Sequence, residues 1–368
     1  MGYLRNAWYA VAWADEIGRQ LFGRTILGQP VVLFRNENDR LVAIGGRCPH
    51  RFAPLHGGSL IGDAVACPYH GLRFDASGQC VFNPHGRQHV PRAARVPAYP
   101  VIERHLLVWI WMGAPDRADP DLIPDYSFVD RPGWVTVKGT ILGRGHYELY
   151  SDNILDLGHA EFLHKNTVGA PSFTYGKRRM FQKANVVHSH FDAPNDYLSP
   201  VLSMIFQTQG KRVDAKVEVE WRPPASMSLI HYSNDVGAPM TEGQCLGTYH
   251  VFTPETDSTT YYFWVVSRIF RAEDQELTKA IAEGFQATFE SEDKPMIAAQ
   301  HDLMAGADFW SLKPVLLEGD AAGVRARRVL AKLIAEEQLQ VDPSKSDDAL
   351  APRLIMDDMI KTPTAADN

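Results

Sequence analysis

Two short loops constrain this chain more than anything else in it. Cys48-Pro-His50 and Cys67-Pro-Tyr-His70 each place one thiolate and one imidazole within a few residues of each other. Loop-forming residues follow both: Pro54, Gly57 and Gly58 after the first, Gly71 after the second. Two Cys and two His delivered by two loops make a complete donor set for metal.

That set is the one a Rieske [2Fe–2S] cluster uses, in which two His replace two Cys on one iron. Cys48 and Cys67 then share one iron, and His50 and His70 the other. Neutral imidazoles leave such a cluster with less negative charge than four thiolates. Its reduction potential rises, which suits it to collect electrons and pass them on. A structural Zn²⁺ also takes Cys₂His₂. Zinc fingers, however, pair Cys with Cys and His with His, whereas each half here is mixed, which favours the cluster.

Formal net charge is −7 and no basic run occurs, so neither nucleic acid nor an anionic membrane surface is an expected partner. No apolar run reaches the length of a membrane span, and Met1 to Tyr9 carry no signal-peptide core. Cys80 and Cys245, the two remaining cysteines, are far apart and read as buried apolar thiols with no disulfide framework. A cytoplasmic protein is expected.

Residues 1–118 read as a small all-β domain. Pro30 to Arg35 and Leu41 to Gly45 are β-branched runs about the polar turn Asn36 to Arg40. Val65 to Cys67, Arg73 to Asp75 and Cys80 to Phe82 are shorter runs, and Leu106 to Met112 is a buried strand. Gly113 to Pro124, rich in Pro, Asp and Gly, makes a linker. Beyond it, 119–368 mixes helices and strands, an α+β pattern. Residues 147–165 look helical. Val217 to Trp221, Met227 to Tyr232 and Tyr261 to Val266 look like strands. Ala272 to Leu303 predicts one long helix kinked or broken at Pro295, and Ala321 to Gln338 another. The tail from Asp342, rich in Pro, Ser and Asp, predicts a mobile end.

A second polar cluster sits inside the helical pattern, in Asp152-Asn-Ile-Leu-Asp-Leu-Gly-His-Ala-Glu-Phe-Leu-His164. Asn153, Asp156 and His159 are spaced by three and predict one helix face. His159 and His164 are five apart, about 140° of rotation on a regular helix. They reach one ion only if the helix is distorted, by a π-type bulge near Gly158 for instance, or ends between them. Two His plus one carboxylate make the facial triad of non-haem Fe(II) oxygenases, with positions left open for O₂. Asp293 on the late helix is the candidate carboxylate, with Glu292 as the adjacent competitor.

Taken together, these residues resemble the oxygenase component of the Rieske non-haem iron oxygenases, and within them the aromatic O-demethylase group. The likeness spans nearly the whole chain: Arg5-Asn-Ala-Trp-Tyr9, Cys48-Pro-His-Arg-Phe-Ala-Pro-Leu55, Cys67-Pro-Tyr-His-Gly71, Asn83-Pro-His-Gly86, the Asp152 to His159 segment and Thr253-Pro-Glu-Thr256. It implies an N-terminal all-β Rieske domain (1–118) and a catalytic domain (119–368) of helix-grip type on an antiparallel sheet. It implies that His159, His164 and Asp293 hold a mononuclear Fe(II). It implies a head-to-tail homotrimer, in which Asp156 bridges His70 of the partner subunit to His159 for electron transfer. Asn153 would approach the iron or act behind its ligands. His250 and Phe285 are the implied substrate contacts. Leu229 and Gly284 stand where a member of the group carries Asn and Trp, so the chemistry carries over and the ligand does not.

The expected activity is O₂-dependent O-demethylation of a small substituted aromatic acid, releasing a phenol and formaldehyde. No Gly-x-Gly-x-x-Gly nucleotide site is present, so NAD(P)H acts indirectly, through a separate ferredoxin or flavin reductase. Ring or methyl hydroxylation without demethylation uses the same irons. A Rieske electron carrier with an appended ligand-binding domain, a different class of function, predicts no second iron and tolerates His159→Ala.

Overall fold

The computed structural model describes residues 2–170 and 172–341; the tail from Asp342 lies outside them. The first strands are β1 (Trp8–Trp13), β2 (Phe22–Ile26), β3 (Gln29–Arg35), β4 (Leu41–Gly45), β5 (Ser59–Ile61), β6 (Ala64–Ala66), β7 (Arg73–Phe74), β8 (Cys80–Phe82), β9 (Val101–Arg104) and β10 (Leu107–Trp111). They make three small antiparallel sheets, ordered β2-β3-β4, β5-β6-β7-β8 and β1-β10-β9. Every residue of β1 and β10 is buried. Both read as nearly continuous apolar runs, as strands covered on both faces must.

What covers them is the second part of the chain. β11 (Val135–Arg144) leads into α1 (Tyr147–Leu155), α2 (Ala160–Leu163) and α3 (Ser172–Tyr175). β12 (Lys177–Lys183), β13 (Val186–Asp196), α4 (Pro200–Phe206), β14 (Val213–Arg222), β15 (Ser226–Asp235), β16 (Gln244–Pro254) and β17 (Thr259–Arg268) follow, then α5 (Gln275–Thr288), α6 (Lys294–Met304) and α7 (Ala321–Val341). The strands form one seven-stranded antiparallel sheet, β11-β17-β16-β15-β14-β13-β12. Side chains alternate across a strand, and here the two faces have different jobs. Tyr249, Val251, Tyr261, Phe263 and Val265 pack against Trp8, Trp13, Trp109 and Trp111 of the first part. The opposite face, with Met227, Phe252, Tyr262, Trp264 and Val266, packs beneath Leu277, Ile281 and Phe289. Strand β14, between β13 and β15, keeps the alternation of a half-covered strand, with every second residue buried.

Two helical expectations are corrected. The segment 147–165 is not one helix: α1 ends at Leu155, and its C-cap Asp156 is extended, with φ −91° and ψ 93°. A 3-10 turn over Leu157–His159 follows, then the single turn α2. Asn153, Asp156 and His159 therefore do not share a regular helix face. The long helix from 272 is α5 and α6 joined by a π turn over Phe289–Asp293, with Pro295 in the first turn of α6. The π distortion considered near Gly158 thus sits instead on the segment that carries Asp293. The pattern reading also did not separate out β11, β12, β13 and β16.

Helix α7 is fixed to α1 by a buried Arg327. Its Nη1 donates to Glu148 Oε2 at 2.7 Å, and its Nε and Nη2 donate to Asp152 Oδ2 at 2.9 and 2.7 Å. The ion pair holds the helix that leads into the second polar cluster. Among the described residues no helix is long and apolar enough to cross a membrane.

Candidate metal centres and the adjoining cavity

The two Cys–His loops fold alike. The Phe52 N–H donates to the Cys48 carbonyl at 2.9 Å, and the Gly71 N–H to the Cys67 carbonyl at 3.0 Å. Both fifth residues take a left-handed conformation, Phe52 at φ 60° and Gly71 at φ 71°. Glycine bears this without cost, whereas Phe52 does not. The loops bring the four donors together by type. Cys48 and Cys67 are buried, whereas His50 is exposed and His70 half-buried, with ring centroids 4.5 Å apart. Burial pushes the Cys48 thiol up, the His50 N–H pulls it down, and the neighbouring Cys67 sulfur pushes it up again. Two thiolates do not share a dry pocket unless a cation compensates them. A cluster bound by sulfur inside and imidazole outside fits this donor set, and its His end would lie nearer the surface.

The second centre is built by three elements, two adjacent along the chain and the third more than a hundred residues further on. His159 closes the 3-10 turn, His164 caps α2, and Asp293 ends the π turn. His159 Nε2 and His164 Nε2 stand 3.2 Å apart, and Asp293 Oδ1 lies 3.1 Å from His164 Nε2 and 3.5 Å from His159 Nε2. Ligands about 2.1 Å from one ion at right angles lie about 3 Å from each other, so the three atoms fit one face of an iron site. Asn153 Nδ2 donates to Asp293 Oδ1 at 2.9 Å, while its Oδ1 is buried with no protein partner. Burial pulls the Asp293 carboxyl up, but hydrogen bonds from His159, His164 and Asn153 outweigh it and hold it down at about 2.

The groups behind the ligands differ from the sequence expectation. Glu292 does not compete with Asp293: its Oε2 accepts from His164 Nδ1 at 2.5 Å and from Thr167 Oγ1 at 2.9 Å. Two consecutive residues of the π turn thus grip opposite edges of one imidazole. A carboxylate on the far nitrogen fixes the ring orientation and raises its basicity. Glu292→Gln is expected to weaken Fe(II) binding about 10- to 100-fold with the cluster spectrum unchanged; chelator competition measures it. At His159, Nδ1 donates to the Asp156 carbonyl. The Asp156 carboxylate stands 4.0 Å away and accepts from the Gly158 N–H at 2.8 Å.

A cavity of about 420 Å³ opens on this centre, with Asn153, His159, His164 and Asp293 on its wall. The rest of the wall is mainly apolar and comes from α4, α5 and the sheet. Both implied substrate contacts line it. Phe285 is an apolar wall backed by Trp264, with centroids 4.7 Å apart. His250 is fully satisfied by protein. Thr248 Oγ1 spends its one proton on the Leu229 carbonyl, 3.0 Å, so it accepts from His250 Nε2 at 2.9 Å; Tyr262 donates to His250 Nδ1 at 2.6 Å. Burial pushes this imidazole down to about 3. Gly284 lies at the cavity, and a side-chain carbon there would meet nothing within 4 Å.

Residues 144–336 match the family model described as the vanillate O-demethylase oxygenase C-terminal domain, and residues 7–100 match the Rieske [2Fe-2S] domain. The chain is 38% identical to the oxygenase component of chloroacetanilide N-alkylformylase from Rhizorhabdus wittichii, covering 91% of this chain and 97% of that one. It is 34% identical to the oxygenase component of dicamba O-demethylase from Stenotrophomonas maltophilia, covering 92% and 99%. The crystal structure of dicamba monooxygenase bound to 3,6-dichlorosalicylic acid superposes with a TM-score of 0.87 at 33% identity, covering 93% of this chain and all of that one. The cofactors of such a protein are a Rieske [2Fe–2S] cluster and a mononuclear non-haem iron. This chain belongs to the Rieske non-haem iron oxygenases and is similar to the oxygenase components of monooxygenase systems.

Proposed function

We propose that this protein removes the methyl group of a substituted aromatic methyl ether by oxidation. The net reaction joins the ether, O₂, two electrons and two protons to give a phenol, formaldehyde and water. The observation that carries this reading is the mainly apolar cavity opening directly on His159, His164 and Asp293. These three residues hold the iron, and Cys48, His50, Cys67 and His70 hold the cluster. The iron, when bound, supplies O₂ activation, with electrons drawn through the cluster. The chain's own part is to orient the ligands through Glu292 and Asn153, to seat the aromatic ring against Phe285, and to exclude water.

Residues 1–118 serve as the Rieske domain and 119–368 as the catalytic domain, and a ferredoxin or flavin reductase feeds them. Assembly as a head-to-tail trimer brings His70 of the partner subunit to Asp156. Supporting this reading, Asp156 and His159 line a second cavity beside Val315, which is 87% exposed. The expected carboxylate on the substrate gains no support, because the substrate cavity has neither Lys nor Arg on its wall among the described residues.

The test is product analysis with a reductase, an electron source and an aryl methyl ether. O-demethylation yields about one formaldehyde per O₂ consumed. A product that keeps its methoxy group and gains a hydroxyl, without formaldehyde, contradicts it in favour of ring or methyl hydroxylation.

A further inference from the structure

His231 and His250 are the two imidazoles on the cavity wall outside the metal centre, and only His231 has a nitrogen without a protein partner. It lies on β15, is 7% exposed, and its Nε2 is buried without any protein partner. An unpaired buried polar atom is costly, and each one in a native fold needs an explanation. His250, on the same wall, is satisfied on both nitrogens, so the contrast lies within one cavity.

Its place in the sheet defines what it can reach. His231 pairs with Leu246, whereas His250 pairs with Met227, four residues away along β15. At about 3.3 Å per residue the two rows are about 13 Å apart. The Asp293 charge is felt at His250 and Tyr262, while burial alone acts on His231. His231 therefore marks the end of the cavity away from the metal centre. Its ring lies 5.4 Å from Phe206 of α4, a helix whose Val201, Leu202, Met204 and Ile205 line the cavity.

Charge at that end is also defined. Burial pushes His231 down to about 4, so the ring is neutral at physiological pH. Arg268 lies in the same row, two strands and about 10 Å away. Its Nη2 is turned to the carbonyls of Arg271 and Asp274 and to Thr278 Oγ1, its Nε is buried without a protein partner, and the residue is not on the cavity wall. A carboxylate brought there would be desolvated without a partner, which is strongly unfavourable. A neutral imidazole can donate to a carbonyl or accept from an N–H.

We propose that His231 is a specificity-determining residue that hydrogen-bonds a neutral amide or carbonyl group at the far end of an uncharged aryl ether. This rests on the reading that the substrate occupies this cavity. It narrows that substrate from a substituted aromatic methyl ether in general to an extended, uncharged one.

The test uses three probes of one skeleton on the protein with both iron sites loaded, read by calorimetry: 3-(4-methoxyphenyl)propanamide, 3-(4-methoxyphenyl)propanoate and 1-methoxy-4-propylbenzene. The amide is expected to bind about tenfold or more tighter than the acid. His231→Phe keeps an aromatic ring beside Phe206 and removes the hydrogen bond. It is expected to weaken the amide about fivefold and to leave the propyl compound unchanged, and His231→Gln is expected to restore the amide. An acid that binds as tightly as the amide, or an amide affinity indifferent to His231→Phe, overturns the proposal while leaving the demethylase reading intact. Failure of all three probes to bind, with no formaldehyde from any, overturns both.

Discussion

Asp293→Ala is expected to leave about two irons per chain, an unchanged cluster spectrum and turnover below about 1% of the parent. The reason is geometric. Asp293 Oδ1 is where His159, His164 and Asn153 converge, and it is the only carboxylate among the three clustered donors. Without it two neutral imidazoles remain, a set that holds Fe(II) weakly beside Zn²⁺ or Cu²⁺ competitors. Losing an outer-shell partner such as Glu292 already costs 10- to 100-fold in general, so losing a ligand must cost more. The cluster loops lie on other sheets, so their spectrum is the internal control for folding. Iron analysis beside a turnover assay separates the outcomes: full activity with about two irons would show that the second centre does no chemistry.

His50→Cys is the second large effect. Replacing one exterior imidazole with a thiolate adds a negative charge to the cluster. Rieske centres span about −150 to +300 mV, against about −400 mV for all-cysteine plant-type clusters. The midpoint is therefore expected to fall by hundreds of millivolts, and electron supply to stop even where the second iron is bound. His50 is the informative choice because His70 carries the proposed contact with Asp156 of the partner subunit. Redox titration followed by optical or spin-resonance spectra measures it. A midpoint that stays within the Rieske range would contradict the assignment of His50 as an iron ligand.

The cluster loops were legible in sequence because both ligands of each half are neighbours along the chain. The turn residues that shape the loops, Gly71 above all, are local too. The iron triad was legible only in part. His159 and His164 share one segment, but their convergence depends on α1 ending at Leu155, which no periodic pattern marks. Asp293 lies 129 residues beyond His164, and spacing could not separate it from Glu292. The π turn decides the matter, by turning one carboxylate to each edge of the His164 ring. Helix positions in 147–165 misled for a related reason. Asn153, Asp156 and His159 keep helical spacing, but α1 ends at Leu155, Asp156 is extended and His159 lies on a 3-10 turn. β16 was missed because it is buried on both faces and shows no alternation. Nor could His231 be found from sequence: a histidine in a strand looks the same whether its nitrogens are satisfied, as in His250, or not.

Iron and acid-labile sulfide quantitation on anaerobically purified protein, with a spin-resonance spectrum after dithionite, tests the two-centre account most directly. It predicts about three irons and two sulfides per chain with a Rieske-type signal. Two irons with full sulfide, not raised by added Fe(II), would contradict the catalytic iron, and zinc without sulfide would contradict the cluster itself.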